Sequence, residues 1–181
     1  KEVGSMSRRL RNLRVGDILD VLGPLGKGFV TNNTKKAVIV GGGVGIAPLL
    51  RLSQVFEGTE REYVCLLGFR DAYEPADLFV QDHLRIHRES VDQGFVTDLL
   101  CEEVDDKSEV FACGPLPMLE KIRTYCMDRG IPVQLSLEER MACGVGACIG
   151  CAVGIVTDGD LTYKKVCSDG PVFRGEELAW K

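Results

Sequence analysis

Short apolar segments alternate with longer stretches of mixed polarity through the middle of the chain. Each apolar segment has four or five residues and is bounded by turn or polar residues, which is typical of a buried strand. Four such strands are predicted, at Ala37–Val40, Tyr63–Leu67, Val110–Cys113 and Val133–Leu137.

Helices are predicted between these strands. Pro48 opens one that runs to about Phe56, since proline is well tolerated in the first turn. Others are predicted at 96–104 and from Gly114-Pro115 to Gly130, the latter with Leu119, Ile122 and Cys126 on one face. Alternating strands and helices predict an α/β fold, with a doubly wound parallel sheet that binds ligands at the carboxyl ends of its strands.

The two ends of the chain differ from this central pattern. Residues 1–36 contain one predicted strand, Val15–Pro24, and are too few to form a core alone, so we interpret them as the end of a larger β domain. Residues 139–181 are rich in cysteine and glycine with short β-like pieces such as Ala152–Val156. We therefore expect three units, at 1–36, 37–138 and 139–181.

Charge and hydropathy narrow the class of partner. The formal net charge is −5, which disfavours nucleic acid and anionic membranes as partners. No apolar run is long enough to cross a bilayer, and the amino terminus resembles no signal peptide. We expect a cytoplasmic protein without a membrane span.

A glycine-rich loop follows the first predicted strand. Gly41-Gly42-Gly43-Val44-Gly45-Ile46-Ala47-Pro48 lies between a strand and a helix, where backbone N–H groups and the helix dipole favour a phosphate. Pro48 replaces the third glycine of the dinucleotide fingerprint, so a tight turn without a ligand stays an alternative. Phe111-Ala112-Cys113-Gly114-Pro115 is a second strand-to-helix turn that would line the same crevice, with Cys113 as a nicotinamide contact.

Half of the eight cysteines are clustered near the carboxyl terminus. Cys143, Cys148 and Cys151 have the spacing C-x4-C-x2-C, and Cys167 follows after fifteen intervening residues. This spacing is typical of plant-type 2Fe-2S ferredoxins, and the nearby glycines suit a backbone that folds round a cluster. Structural zinc and a disulfide cluster are the alternatives.

Other candidates carry less weight. His83 and His87 have helical spacing but no further residues that would complete a metal site, and the acidic run at 102–106 fits a solvated helix end. The scattered cysteines are expected to pack as small hydrophobic residues.

A dinucleotide site beside a one-electron cluster implies a third cofactor. Nicotinamide exchanges two electrons as hydride, whereas an iron-sulfur cluster passes one electron at a time. A flavin converts between the two.

The motifs together resemble a known family. GGGVGIAPLL, LGFRD and FACGPLPML resemble the NAD-binding domain of the ferredoxin reductase superfamily. LEERMACGVGACIGCAV followed by KKVCSDGPVF resembles the electron transfer subunits of type B, NAD-dependent dihydroorotate dehydrogenases. The resemblance covers nearly the whole chain.

The resemblance implies three cofactors and a partner. It places a 2Fe-2S cluster on Cys143, Cys148, Cys151 and Cys167, FAD in a preceding β barrel of which residues 1–36 are the remnant, and NAD on the α/β domain. It also implies a hetero-oligomer with an FMN-containing catalytic subunit. Electrons would pass from dihydroorotate to FMN, then through the cluster and FAD to NAD, in pyrimidine biosynthesis.

The resemblance also assigns individual contacts. The loop from Gly41 to Pro48 would hold the nucleotide, with Cys113, Gly114 and Pro115 near the nicotinamide. Asp71 or Glu74 would suit a free ribose hydroxyl, which favours NAD over NADP.

The flavin contacts are only partly represented in this chain. Gly4-Ser5-Met6-Ser7 resembles the family's second flavin-phosphate segment, which gives Met6 and Ser7 as candidates. The upstream arginine and serine motif is not in this chain, so the 181 residues alone are expected to bind FAD poorly.

Two other functions stay open at this point. One is a reductase subunit of another NAD(P)-linked flavin and iron-sulfur complex, such as a ferredoxin-NADP oxidoreductase or a sulfur-reducing hydrogenase. The other is a scaffolding protein whose cysteines bind zinc.

Overall fold

The computed structural model describes residues 4–32, 35–70, 81–88 and 94–180. The strands are β1 (Lys36–Gly42), β2 (Tyr63–Phe69), β3 (Leu84–Arg88), β4 (Ser108–Cys113), β5 (Val133–Ser136), β6 (Ala152–Thr157), β7 (Asp160–Lys165) and β8 (Val172–Arg174). The α-helices are α1 (Ser5–Arg11), α2 (Ile46–Glu57), α3 (Leu100–Glu103) and α4 (Leu116–Met127).

Six of these strands form one sheet in the order β3-β2-β1-β4-β5-β8. The first five are parallel, and β8 pairs antiparallel with β5 at the edge. The chain runs outward from β1 to β3 and then returns to the other side of β1 through β4. The predicted doubly wound sheet is therefore present, with its reversal of strand order between β1 and β4.

Both faces of the sheet are covered, which explains the continuous apolar runs in its strands. Ala37 and Ile39 point to the face covered by α2, where Phe56 is buried. Val38 and Val40 point to the opposite face, where α4 packs. On α4 the residues predicted to share one face, Leu119, Ile122 and Cys126, are all buried.

The carboxyl-terminal region joins the same sheet. Strands β6 and β7 form a separate two-stranded hairpin. Strand β8 extends the main sheet, and Phe173 belongs to the same buried cluster as Val133 and Leu135 of β5. The division into units at 36 and 138 stays a prediction, and a strand from beyond residue 138 completes the central sheet.

Some predicted elements differ from the structure. Residues 15–24 form no strand, because they pair with no other strand among the described residues and leave Val15, Ile18 and Val21 exposed. His83 and His87 do not share a helix: His83 ends a short 3-10 turn and His87 lies in β3. The helix predicted at 96–104 is a 3-10 turn at Val96–Leu99 followed by the short α3.

A buried polar network fastens the amino-terminal segment to the sheet. The Arg61 guanidinium donates to Glu109 at 2.8 Å, and both side chains are at least 92% buried. The Gln134 amide donates to the other oxygen of Glu109 at 2.9 Å. The same amide donates to the carbonyl of Val30 at 2.8 Å and accepts from its N–H at 2.9 Å. Because each charge is paired, the network holds residue 30 against β5.

The longest helices of the described residues, α2 and α4, have 12 residues each. No helix in the described part of the chain could cross a membrane.

Candidate functional site

The two predicted turns lie side by side at the carboxyl edge of the sheet. Strands β1 and β4 are neighbours, with Gly41 in register with Cys113. The chain leaves β1 through a 3-10 turn, Gly43–Gly45, into α2, and leaves β4 through Gly114-Pro115 into α4. This arrangement forms the crevice where parallel α/β sheets bind ligands.

Glycines in this loop are needed for packing as well as for any ligand. A Cβ on Gly45 would lie 2.5 Å from the carbonyl oxygen of Cys113, and one on Gly42 would lie 2.6 Å from the sulfur of Met118. The two turns therefore touch backbone to backbone. Gly43 differs, because a Cβ there would meet nothing within 4 Å while its φ of +56° favours glycine.

Exposure separates the residues that a nucleotide could reach. Gly43, Pro48 and Pro115 are exposed, and Gly114 is half-buried. Gly41, Gly42 and Gly45 are buried, and their contact with a nucleotide stays a prediction.

Cys113 is a buried thiol at the end of β4. Burial raises the pKa of this thiol, and a hydrogen bond from Ser136 on β5 opposes that shift. A thiol with a raised pKa is protonated at neutral pH and is a poor nucleophile. The thiol of Cys113 is therefore not prepared as a nucleophile, and its contact with a nicotinamide ring stays a prediction.

The remaining nucleotide and flavin candidates lie elsewhere. Asp71 and Glu74 fall outside the described residues. Ser7 lies in α1, where its hydroxyl accepts from the N–H of Gly4 at 2.9 Å and donates to the carbonyl of Gly4 at 3.0 Å. Met6 is 63% exposed.

The four clustered cysteines come together as two pairs. In the first pair the backbone N–H of Cys148 donates to the sulfur of Cys143 at 3.4 Å. In the second pair the sulfurs of Cys151 and Cys167 are 3.4 Å apart. Cys143 and Cys148 are half-buried, whereas Cys151 and Cys167 are buried.

The second pair is positioned by the β6–β7 hairpin. Asp158 and Gly159 form its two-residue turn, both with positive φ, as type I′ turns require. The register that follows places Ala152 opposite Lys165, and the N–H of Val166 donates to the carbonyl of Cys151 at 3.0 Å. The fifteen residues between Cys151 and Cys167 are therefore the length of one hairpin with its closing turn.

Backbone amides point at these sulfurs. Amides of Cys148, Val145 and Ala147 lower the pKa of the Cys143 thiol to about 6. In the second pair the amide of Cys167 lowers the pKa of Cys151, while the hydrogen bond with Cys151 raises the pKa of Cys167. N–H donors of this kind stabilise thiolates, which are the form that binds iron.

This donor set fits a binuclear cluster. A 2Fe-2S cluster takes four thiolates over two irons, and the structure supplies two pairs of thiols on adjoining loops. No three His, Cys, Asp or Glu side chains among the described residues converge on one metal position, as a mononuclear zinc site would require. All eight cysteines are free thiols.

Sequence reasoning missed Lys165, which links the two cysteine loops. Its ammonium group donates a hydrogen bond to the carbonyl of Gly146, midway between Cys143 and Cys148. The turn signal Asp158-Gly159 could have predicted the hairpin that ends at this lysine. Of the two histidines set aside in the sequence, His83 stacks on Tyr63 with 4.3 Å between ring centroids.

Comparison with known proteins also indicates an iron-sulfur cluster in this segment. Residues 138–179 match the iron-sulfur cluster binding domain of dihydroorotate dehydrogenase B. The electron transfer subunit of dihydroorotate dehydrogenase B (NAD(+)) from Caldanaerobacter subterraneus is 38% identical over 97% of this chain and 72% of that relative. The corresponding subunit from Bacillus velezensis is also 38% identical, over 97% of this chain and 71% of its own length.

This chain belongs to that family. The membership confirms the resemblance noted in the sequence, the oxidoreductase class and the iron-sulfur segment. The ligand assignment of individual residues stays a prediction.

Solved structures agree on the fold. An NADH-dependent reduced ferredoxin-NADP oxidoreductase matches 99% of this chain and 67% of its own, with a TM-score of 0.78 and 31% identity. The FAD/NAD-binding domain of a nitric oxide dioxygenase from Vibrio cholerae matches 71% of this chain and 60% of its own, with a TM-score of 0.56. At 19% identity the latter supports the ferredoxin-reductase-like fold alone.

Proposed function

We propose that this chain is the electron transfer subunit of an NAD-linked dihydroorotate dehydrogenase that works with a separate FMN-containing catalytic subunit. The observation that carries the proposal is the arrangement of four thiols in two pairs, within the segment that matches the family's cluster-binding domain. Its cofactors are a 2Fe-2S cluster, FAD and NAD. The cluster passes single electrons, the flavin converts them to hydride chemistry, and NAD carries the hydride.

In this proposal the cysteine loop prepares the cluster ligands. Cys143 and Cys148 would hold one iron, and Cys151 and Cys167 would hold the other. Amides aimed at Cys143 and Cys151 favour the thiolate form before metal arrives. The half-buried first pair lies nearer the surface than the buried second pair.

The strand-end crevice is the proposed NAD site. The exposed Gly43 and Pro48 contact the phosphates. The buried glycines of the same loop pack against the sheet and fix the loop's position; they are Gly41, Gly42 and Gly45. Cys113, Gly114 and Pro115 lie beside the nicotinamide. We assign the ribose contact to Asp71, and Met6 and Ser7 to the flavin.

We place the protein in the cytoplasm, as part of a hetero-oligomer that acts in pyrimidine biosynthesis. Eight free thiols support a reducing compartment.

The test is dihydroorotate-dependent reduction of NAD by the complex of this chain with its catalytic subunit. We expect Cys148→Ser to abolish NAD reduction while dihydroorotate still reduces the catalytic subunit. The matched control is Cys101→Ser, because Cys101 is an exposed thiol outside the cluster. Full NAD reduction by Cys148→Ser would contradict the proposal, as would zinc in place of two irons and two sulfides in the wild type.

A second candidate rests on the solved structure with a TM-score of 0.78, which is an NADH-dependent reduced ferredoxin-NADP oxidoreductase. A reductase subunit of such a complex would use the same cluster and crevice. NADP reduction driven by reduced ferredoxin, without activity on dihydroorotate, would favour this candidate.

A further inference from the structure

Lys165 connects the two loops that carry the clustered cysteines. It ends β7 two residues before Cys167. Its backbone is fixed there, because its N–H donates to the Asp169 carboxylate at 2.8 Å and its carbonyl accepts from the N–H of Asp169 at 2.8 Å. From this fixed position its ammonium group donates to the carbonyl of Gly146 in the other loop.

The peptide group that receives this hydrogen bond lies between two of the clustered cysteines. The carbonyl of Gly146 and the N–H of Ala147 belong to one peptide unit in the loop from Cys143 to Cys148, and the N–H of Cys148 donates to the sulfur of Cys143 at 3.4 Å. A positive charge on the carbonyl oxygen polarises the peptide and strengthens its N–H as a donor.

Space around Gly146 shows how closely the loops approach. A Cβ at this position would lie 3.0 Å from the Ser168 hydroxyl oxygen and 4.0 Å from Cδ of Lys165, and its φ is +78°. The loop between Cys143 and Cys148 is therefore packed against the turn that follows Cys167, with the lysine side chain beside it.

We infer that Lys165 is a positioning residue for the iron-sulfur cluster. Its side chain holds the two cysteine loops together and raises the reduction potential of the cluster. The inference rests on the proposed function, since it requires the cluster. Reduction adds negative charge, so a cation held beside the cysteine loop favours the reduced state.

The neighbouring lysine provides a matched control. Lys164 is adjacent on the same strand, so its side chain points to the opposite face. Its ammonium group lies 3.5 Å from the Glu177 carboxylate. Removing it changes the net charge by the same amount as removing Lys165, without touching Gly146.

The test compares variants of the full chain, purified without oxygen, by iron content and by a redox titration followed with electron paramagnetic resonance. For Lys165→Met we expect the ratio of reduced to oxidised cluster at a fixed potential to fall roughly tenfold, a shift of about 59 mV to more negative potential. Lys164→Met should change the ratio less than about twofold. Lys165→Arg keeps the charge and a donor, so its potential should stay close to that of the wild type.

Lys165→Gln keeps a donor for Gly146 without the charge, and it decides the matter if Lys165→Met does not retain iron. A negative shift in Lys165→Gln supports the inference. An unchanged potential in iron-loaded Lys165→Met or Lys165→Gln would overturn it, as would an equal shift in Lys164→Met. Absence of iron from the wild type is a different outcome, because it would overturn the proposed function as well.

Discussion

The α/β sheet and the cysteine loop obtain their order from different sources. Strands β1, β2, β4 and β5 are buried along nearly their whole length and pack between helices. Residues 138–151 contain no helix or strand, and most of them are half-buried or exposed. The sheet is stabilised by burial of apolar surface. The loop is stabilised by backbone N–H groups that donate to sulfur and by one lysine that donates to a loop carbonyl.

This difference predicts how each region responds to change. The sheet should lose stability when a buried group is removed and should be indifferent to metal. The loop should depend on its metal and contribute little to global stability. Each of the following experiments tests one side of that contrast.

The largest expected effect is on the loop, through its metal. Cys148→Ser should remove nearly all iron and acid-labile sulfide, because the first pair then has a single thiolate. Hydrogen exchange should speed up at residues 143–151 and stay slow in β1 and β4. Cys101→Ser should change neither iron content nor exchange. Loss of protection throughout the sheet in Cys148→Ser would contradict the contrast.

The next effect is on the sheet. Arg61→Met leaves the buried Glu109 carboxylate without its cation, and we expect the free energy of unfolding to fall by about 3–5 kcal/mol. Chemical denaturation measures this. Arg51→Met is the control, since Arg51 is exposed and its hydrogen bond to Gln54 is long, at 3.5 Å, and its effect should stay within about 0.5 kcal/mol. If Arg61→Met lost iron without losing stability, the sheet would not depend on its buried groups as the contrast requires.

A smaller effect is expected where the two strand-end turns touch. Gly45→Ala places a methyl group against the backbone of Cys113, so unfolding should become easier by about 1–3 kcal/mol and NADH should bind more weakly. Gly58→Ala meets only ordinary contacts beyond 3.5 Å and has a φ of −77°, so it should not destabilise. Equal changes in the unfolding temperature of the two variants would show that the close contact between the turns does not contribute to stability.

The smallest effect is expected at the surface of the hairpin. Lys164→Gln breaks the ion pair with Glu177. The side chains of Lys164 and Glu177 are 40% and 37% exposed. Such pairs contribute less than about 1 kcal/mol and weaken with salt. Thermal unfolding at low and high salt checks this, and a larger, salt-independent loss would mean that the hairpin supports the sheet directly.

Much of the sheet could be predicted from the sequence, because its signals are local. β1, β2, β4 and β5 are short apolar segments between turns, and α4 shows its buried face through the spacing of Leu119, Ile122 and Cys126. Strand β8 was missed, since three residues give no periodicity and their pairing with β5 depends on the fold. The strand predicted at 15–24 was wrong for the same reason, because a β-like pattern forms a strand only when a partner lies beside it.

The candidate site divides in the same way. Cysteine spacing indicated the cluster ligands, and the glycine pattern indicated the turns. The contact between Lys165 and Gly146 joins residues 19 positions apart. It could not be predicted, because the spacing of the cysteines gives no information about it.

The hairpin between Cys151 and Cys167 also limits how this interval can vary among related sequences. Residues added or removed in pairs beside the Asp158-Gly159 turn lengthen or shorten both strands equally and leave the base of the hairpin in register. A single added residue forces a bulge or slips one strand, which turns its side chains to the other face. Family members should therefore differ in this interval by even numbers of residues, and a search pattern that fixes it at fifteen would overlook functional relatives.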